Sequence, residues 1–139
     1  MSNVDELHGD PHVDRYLETD GEEGFHWKGT EILILFTTGR KSQTERRHAL
    51  IFREWNDDAY LVVASKGGAD APPAWFLNLE TDPNAEVQIK GQRFPVTARV
   101  ANDDEKPAMW AKMTKVWPDY DGYQAKSSRT IPVVVLERK

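Results

Sequence analysis

Two short apolar runs bracket a cationic loop, and this arrangement restricts the chain more than any other feature. Ile32-Leu33-Ile34-Leu35-Phe36 leads into Thr37-Thr38-Gly39-Arg40-Lys41-Ser42-Gln43-Thr44-Glu45-Arg46-Arg47, and His48-Ala49-Leu50-Ile51-Phe52 leads out. Both runs have strand length and strand composition, so the spacing predicts a hairpin with the loop at its tip. Backbone N–H groups turned outward at Gly39, beside Arg40, Lys41, Arg46 and Arg47, suit a phosphate or carboxylate. Solvated charges on a loop tip are the competing reading. A nucleotide-triphosphate loop is excluded, because Arg40 separates Gly39 from Lys41, Ile34 replaces the upstream glycine, and a strand rather than a helix follows.

The rest of the chain continues the hairpin pattern. Strands are expected over about 31–37, 47–55 and 59–65, the last two joined by Trp55-Asn56-Asp57-Asp58. Ser65-Lys66-Gly67-Gly68 ends the third strand with a backbone-exposed turn, a second candidate anion site with Lys66 as its charge. A short helix begins after Pro72-Pro73 and carries Trp75, Phe76 and Leu79. Strands over about 85–90 and 93–101 flank Lys90-Gly91-Gln92. A helix over roughly 103–116, capped by Asp103, carries Met109, Trp110 and Met113. Tyr120 and Tyr123 are three apart, so one helical turn aims both the same way. Ile131–Leu136 reads as a buried strand with Pro132 at its start. Toward the N-terminus, Pro11–Glu18 suits a short helix capped by Asp10, and residues 1–10 are expected to be mobile. Phe25, Trp27 and Tyr16 are expected to cover one end of the core, with a ligand border as the alternative for all three.

Hairpin-connected strands argue against a parallel nucleotide-binding sheet. The architecture expected is mainly β with α: a six-stranded antiparallel split β-barrel with two to three covering helices. Residues 1–24 form a polar acidic segment and 25–139 the barrel domain. With 139 residues there is one core. No apolar stretch spans a bilayer, and no secretory signal is visible. The absence of cysteine excludes disulfides and thiolate chemistry and fits a cytoplasmic protein. Residues 1–31 carry nine acids and two bases, so a net charge of −5 conceals +2 over the remainder. A cationic pocket on an acidic protein suits a small anion and argues against nucleic acid. The four histidines, His8, His12, His26 and His48, are scattered, so no metal site is expected.

Several stretches taken together resemble the deazaflavin-dependent nitroreductase family of actinobacteria, whose members use coenzyme F420 on a split β-barrel. They are Leu35–Ser42, Val63–Ala69, Pro73–Leu79, Trp117–Gln124 and Arg129–Val134, and with the strands between them they cover about residues 27–137. The resemblance implies that Arg40, Lys41, Ser42 and Arg46 belong to the loop that holds the coenzyme phosphate. It implies that Arg47, His48 and Ala49 run along the deazaflavin ring, and that Ala64, Ser65, Lys66 and Gly67 form the turn beside it. Ala74 and Trp75 match a helix start near the cofactor. Tyr120 and Tyr123 match aromatics over the substrate side, with Trp117 where a third tyrosine can occur. Gln43 stands for a family glycine and Glu45 for a proline, and Ala74 stands where a methionine can occur.

The activity this implies is hydride transfer from reduced F420 to an enone, quinone or nitroaromatic small molecule, with Ser65, Tyr120 and Tyr123 as oxyanion or proton donors. An FMN-dependent oxidoreductase and a cofactor-free carrier of an apolar ligand are the alternatives on the same barrel. The polar N-terminal segment argues against membrane association. A monomer or homodimer is expected.

Overall fold

The computed structural model describes residues 9–139. Most of the segment expected to be mobile, and His8 with it, lies outside the described residues. The chain order is α1 (Gly9–Glu18), β1 (His26–Trp27), β2 (Thr30–Thr38), β3 (Glu45–Ile51), β4 (Arg53–Asn56), β5 (Ala59–Val63), α2 (Ala74–Thr81), β6 (Asn84–Ile89), β7 (Gln92–Val100), α3 (Lys106–Val116), α4 (Asp119–Lys126) and β8 (Val133–Arg138). Four helices cover the sheet, where the sequence predicts two or three. The additional one is α4, whose single tyrosine-bearing turn extends into two because Asp119 and Asp121 sit at its N-terminal end and Lys126 in its last turn.

Every strand pairing is antiparallel, in the order β1-β2-β6-β7-β8-β5-β4, with β3 also on β2. The strand expected over 47–55 begins earlier, at Glu45, and breaks at Phe52. Its first part, β3, pairs with β2 from Ile32↔Ile51 to Thr38↔Glu45. Its second part, β4, pairs with β5. This change of partner curls the sheet into a split barrel of six long strands, if β3 and β4 are taken as one. Phe52 marks the corner: its N–H donates to the Glu31 carbonyl at 3.1 Å, and its buried ring meets Phe25 and Tyr60 edge-on.

Period-two alternation distributes side chains between two cores. Tyr60 and Val62 of β5, with Val134 and Leu136 of β8, fill the barrel interior. Ala59, Leu61 and Val63, with Val133 and Val135, face outward under Met109 and Met113 of α3 and Tyr120 of α4. Strands covered on both faces are apolar throughout, which is why Ile131–Leu136 reads as a continuous run. The α3 helix begins later than expected. Its start is set by Asn102, whose Oδ1 accepts from the N–H groups of Asp104 and Glu105, while Glu105 accepts from the Asn102 N–H. This reciprocal pair closes the turn over 102–105 ahead of the helix, and Asp103 lies inside that turn.

The α1 helix is fastened to the barrel by Tyr16. Its hydroxyl donates to the Ile32 carbonyl at 3.0 Å and accepts from the Lys90 N–H at 2.7 Å. Burial pushes its pKa up to about 12. Among the described residues no helix is long and apolar enough to cross a membrane.

Candidate active site

A cavity of about 430 Å³ opens where four segments meet. Arg47 to Ile51 of β3 form one wall, and the Ser65–Gly67 turn with Pro73 and Trp75 forms the next. Trp117, Tyr120 and Tyr123 close the third side. Gly9, Asp10, His12 and Val13 of α1, with Trp27, close the fourth. The volume suits a drug-sized or cofactor-sized ligand. A larger depression of about 700 Å³ lies near Phe25, Arg53 and Lys112. There Glu31 and Arg53 already satisfy each other at 3.0 Å, so it offers less unspent chemistry.

The β3 wall follows from topology. Among the described residues β3 pairs along its length with β2 alone. Its other edge keeps N–H and C=O groups for a planar ligand with a polar rim. His48 adds a side-chain group of the same kind: its Nε2 is buried without a hydrogen-bond partner among the described residues. Burial holds the His48 imidazole below its ordinary pKa. Asp10 pulls the other way and Arg46 reinforces burial.

The second wall is the Ser65–Gly67 turn with the Lys66 cation. Ser65 has right-handed backbone angles, and Lys66 (φ 46°) and Gly67 (φ 62°) are left-handed. That alternation points successive N–H groups into one concavity. Lys66 tolerates the strain because both sides of the turn are held. The Arg129 guanidinium donates to the carbonyls of Ala64, Ser65 and Ala69, each at 2.9 Å. Gly68 lies so close to Tyr123 that a Cβ there would come within 2.9 Å of its backbone. Gln124 positions Arg129 in turn, donating to its carbonyl at 2.9 Å and accepting from the Ile131 N–H at 2.8 Å.

The third wall is aromatic. Tyr120 is buried and packs edge-on against Tyr123 at 6.1 Å. Burial, with Tyr123 adding to it, raises the Tyr120 pKa far above its usual value, so the phenol stays protonated. Trp117 donates from Nε1 to the Tyr123 hydroxyl at 3.4 Å and stacks on Trp27 at 5.7 Å.

The cavity therefore gathers Arg47, His48, Ala49, Ser65, Lys66, Gly67, Trp75, Tyr120 and Tyr123. It does not gather Arg40, Lys41 or Ser42, which lie beyond its wall on the loop leading into β3, nor Arg46, near the start of β3 and paired with Thr37. There the Arg40 N–H and Nη1 both donate to Asn78 Oδ1 at 3.1 Å, tying the loop to α2. Ser42 Oγ pairs with Thr44 Oγ1 at 2.8 Å. Lys41 on the loop and Arg46 at the start of β3 are both exposed. Ala64 is buried below the turn and contributes backbone only, and Ala74 is exposed away from the cavity.

The two loop departures have local explanations. Gln43 occupies a left-handed position, φ 59°, which is where a glycine is favoured. Glu45 turns from the loop to Arg93, which it shares with Glu86, so its charge is already paired.

Sequence reasoning placed none of Asp10, His12, Leu50 or Ile51 in a site. The last two are apolar strand residues, and α1 reaches the cavity only through tertiary packing. Asn78 did carry a signal, as a buried polar residue on the apolar face of a helix.

A family model described as F420H(2)-dependent quinone reductase matches residues 10–138. The chain belongs to the F420H(2)-dependent quinone reductase family. An F420H(2)-dependent quinone reductase of Mycobacterium tuberculosis is 38% identical over 128 residues, which make up 89% of this chain and 85% of the relative. A solved structure described as an F420-H2 dependent reductase superposes with a TM-score of 0.70 at 36% identity, covering 76% of this chain and 93% of that one. Another, described as a domain-swapped dimer, superposes at 0.73 with 34% identity, covering 90% and 93%. In this family member an open strand edge and an N–H concavity beside Lys66 converge on one cavity. That donor set fits a heterocycle carrying an anionic tail.

Proposed function

We propose that the protein transfers a hydride from reduced coenzyme F420 to a small electrophilic acceptor of the quinone type. The observation that carries this reading is the convergence, on a single cavity, of the open β3 edge, the Ser65–Gly67 concavity and the tyrosines of α4, in a chain matched almost end to end by the family model.

When bound, the reduced deazaflavin supplies the hydride and the redox chemistry. The protein binds, orients and stabilises charge. The β3 edge at Arg47, His48 and Ala49 is assigned to the ring's polar rim. Lys66 and the concavity N–H groups are assigned to the anionic tail. Lys41 and Arg46, outside the cavity on the same strand and loop, extend the cationic track toward the coenzyme phosphate. Trp117, Tyr123 and Tyr120 line the side opposite β3, where an acceptor is confined close to the ring. The Tyr120 hydroxyl, held protonated, and the Tyr123 and Ser65 hydroxyls donate to the oxygen on which negative charge develops.

The test is a fluorescence titration of the protein with oxidised F420 beside FMN, repeated on Lys41→Ala. Selective deazaflavin binding is expected. The variant should bind about tenfold or more weakly, the equivalent of one charge-assisted hydrogen bond worth about 1.5–3 kcal/mol. Preference for FMN, or binding of neither, overturns the cofactor. Undiminished affinity in Lys41→Ala removes the loop from the phosphate site.

A further inference from the structure

A row of rings runs along two sides of the cavity. His12 of α1 lies 6.0 Å from Trp27 of β1, and Trp27 stacks on Trp117 at 5.7 Å with 29° between the planes. Trp117 Nε1 donates to the Tyr123 hydroxyl at 3.4 Å, and Tyr123 meets Tyr120 at 6.1 Å. All of these residues line the same space. The Trp27–Trp117 pair is the seam of the row. It joins the α1 side of the cavity to the α4 side, away from the β3 edge and the Ser65–Gly67 turn.

Trp27 is held rigidly at this seam. It pairs with Thr30 across a two-residue turn in which Lys28 (φ 48°) and Gly29 (φ 77°) are both left-handed, the geometry that a tight hairpin demands. The Thr30 hydroxyl donates to the Trp27 carbonyl at 2.6 Å. On one flank of the Trp27 ring stands His12, itself buried and fixed by its Nε2, which donates to the Gly24 carbonyl at 2.8 Å. On the other flank stands Trp117, fixed through Tyr123. A large ring on a constrained backbone, braced on both flanks, is a wall rather than a lid.

We propose that Trp27 is a specificity-determining residue: braced against Trp117, it closes the acceptor end of the cavity and restricts the acceptor to compact molecules of one or two fused rings. This deepens the reading of the cavity as a hydride-transfer site and rests on it. Under that reading the coenzyme ring takes the β3 side, and the acceptor lies between that ring and the aromatic row. A cavity of about 430 Å³ is at the lower end of ordinary ligand pockets, and here two molecules share it. Indole and phenol faces suit a flat acceptor, while the stacked indoles leave no passage between them for a third ring.

The experiment measures binding without turnover. The protein saturated with oxidised F420 is titrated calorimetrically with 1,4-naphthoquinone as the two-ring probe and anthraquinone-2-sulfonate as the three-ring probe. The chain has no cysteine, so neither probe is consumed by thiol addition. Wild type should bind the two-ring probe about tenfold or more tightly, the scale on which an apolar pocket discriminates by size. Trp27→Phe should narrow that gap about threefold, and Trp27→Leu should remove most of it. Comparing each variant with wild type cancels the probes' own differences in charge and solubility. F420 affinity, read by fluorescence in the same samples, should change by less than about twofold, as for sites that share no partner. If Trp27→Leu does not fold, Trp27→Phe carries the comparison.

Equal affinity of wild type for both probes overturns the proposal, as does a gap that persists undiminished in a folded variant. A large loss of F420 affinity in either variant moves Trp27 to the coenzyme side and overturns it too. Each of these results leaves the hydride-transfer reading intact. Wild type that binds no F420, or that binds F420 and neither quinone, overturns that reading together with the proposal.

Discussion

Replacing Arg129 by alanine removes one side chain that holds the Ala64–Ala69 turn of the cavity wall at three points. Its Nε and Nη2 donate to the carbonyls of Ala69, Ala64 and Ser65, all at 2.9 Å. A single charge-assisted bond of this type contributes about 1.5–3 kcal/mol. The three share one guanidinium and do not add. The Ser65 carbonyl keeps the Gly68 N–H at 2.9 Å after the change, whereas the Ala64 carbonyl, on a fully buried residue, is left without a donor. Arg129 is only half-buried, so water enters the vacated space and recovers part of the loss. The expected destabilisation is about 2–4 kcal/mol, at the upper end of ordinary single substitutions. Urea unfolding followed by tryptophan fluorescence measures it. F420 titration in the folded baseline then reads the second consequence, a weaker anion site. Arg129→Lys offers one compact ammonium in place of a planar fork and should recover less than half of the stability. A loss below about 0.5 kcal/mol for Arg129→Ala, the range typical of an inert surface change, would refute the clamp. So would full recovery by lysine.

Three further outcomes test neighbouring parts. Tyr123→Phe removes a hydroxyl that meets Trp117 at 3.4 Å and should lower turnover more than F420 affinity; steady-state kinetics showing the reverse makes Tyr123 a packing residue. Gly68→Ala forces a Cβ within 2.9 Å of the Tyr123 backbone at φ 85° and should destabilise by more than about 2 kcal/mol; a wild-type denaturation midpoint would contradict the close packing of the turn on α4. Gln43→Gly relieves a left-handed residue, which costs about 1–2 kcal/mol, against about 0.5–1 kcal/mol of added chain entropy. It should therefore stabilise by about 0.5–1 kcal/mol, measured by the same urea transition.

The sequence by itself determined the local grammar of this protein. The runs Ile32–Phe36 and Ala49–Ile51 are strands because short apolar stretches between turn signals have no better use. Gly67 and Gly68 mark a turn because left-handed angles suit glycine. Tyr120 and Tyr123 share a face because a helix repeats every three to four residues. The cations of the first loop and Lys66 were legible for the same reason: charge and spacing are local quantities.

What only the tertiary structure decided is where those pieces meet. Phe52 looks like mid-strand in sequence, yet there the chain leaves β2 for β5 and curls the sheet, a consequence of barrel closure that no window of residues contains. Asp10 and His12 reach the cavity because α1 is pinned by Tyr16 to carbonyl and N–H groups of β2, β6 and the turn after it, and Trp27 because β1 pairs with β2. Arg129 reads as one more surface cation until the fold places three carbonyls around it. His48 alternates in β3 like its neighbours, and only packing shields its Nε2, which has no partner among the described residues. Local propensity sets the elements; burial and hydrogen-bond satisfaction, which depend on residues far apart in the chain, set the site.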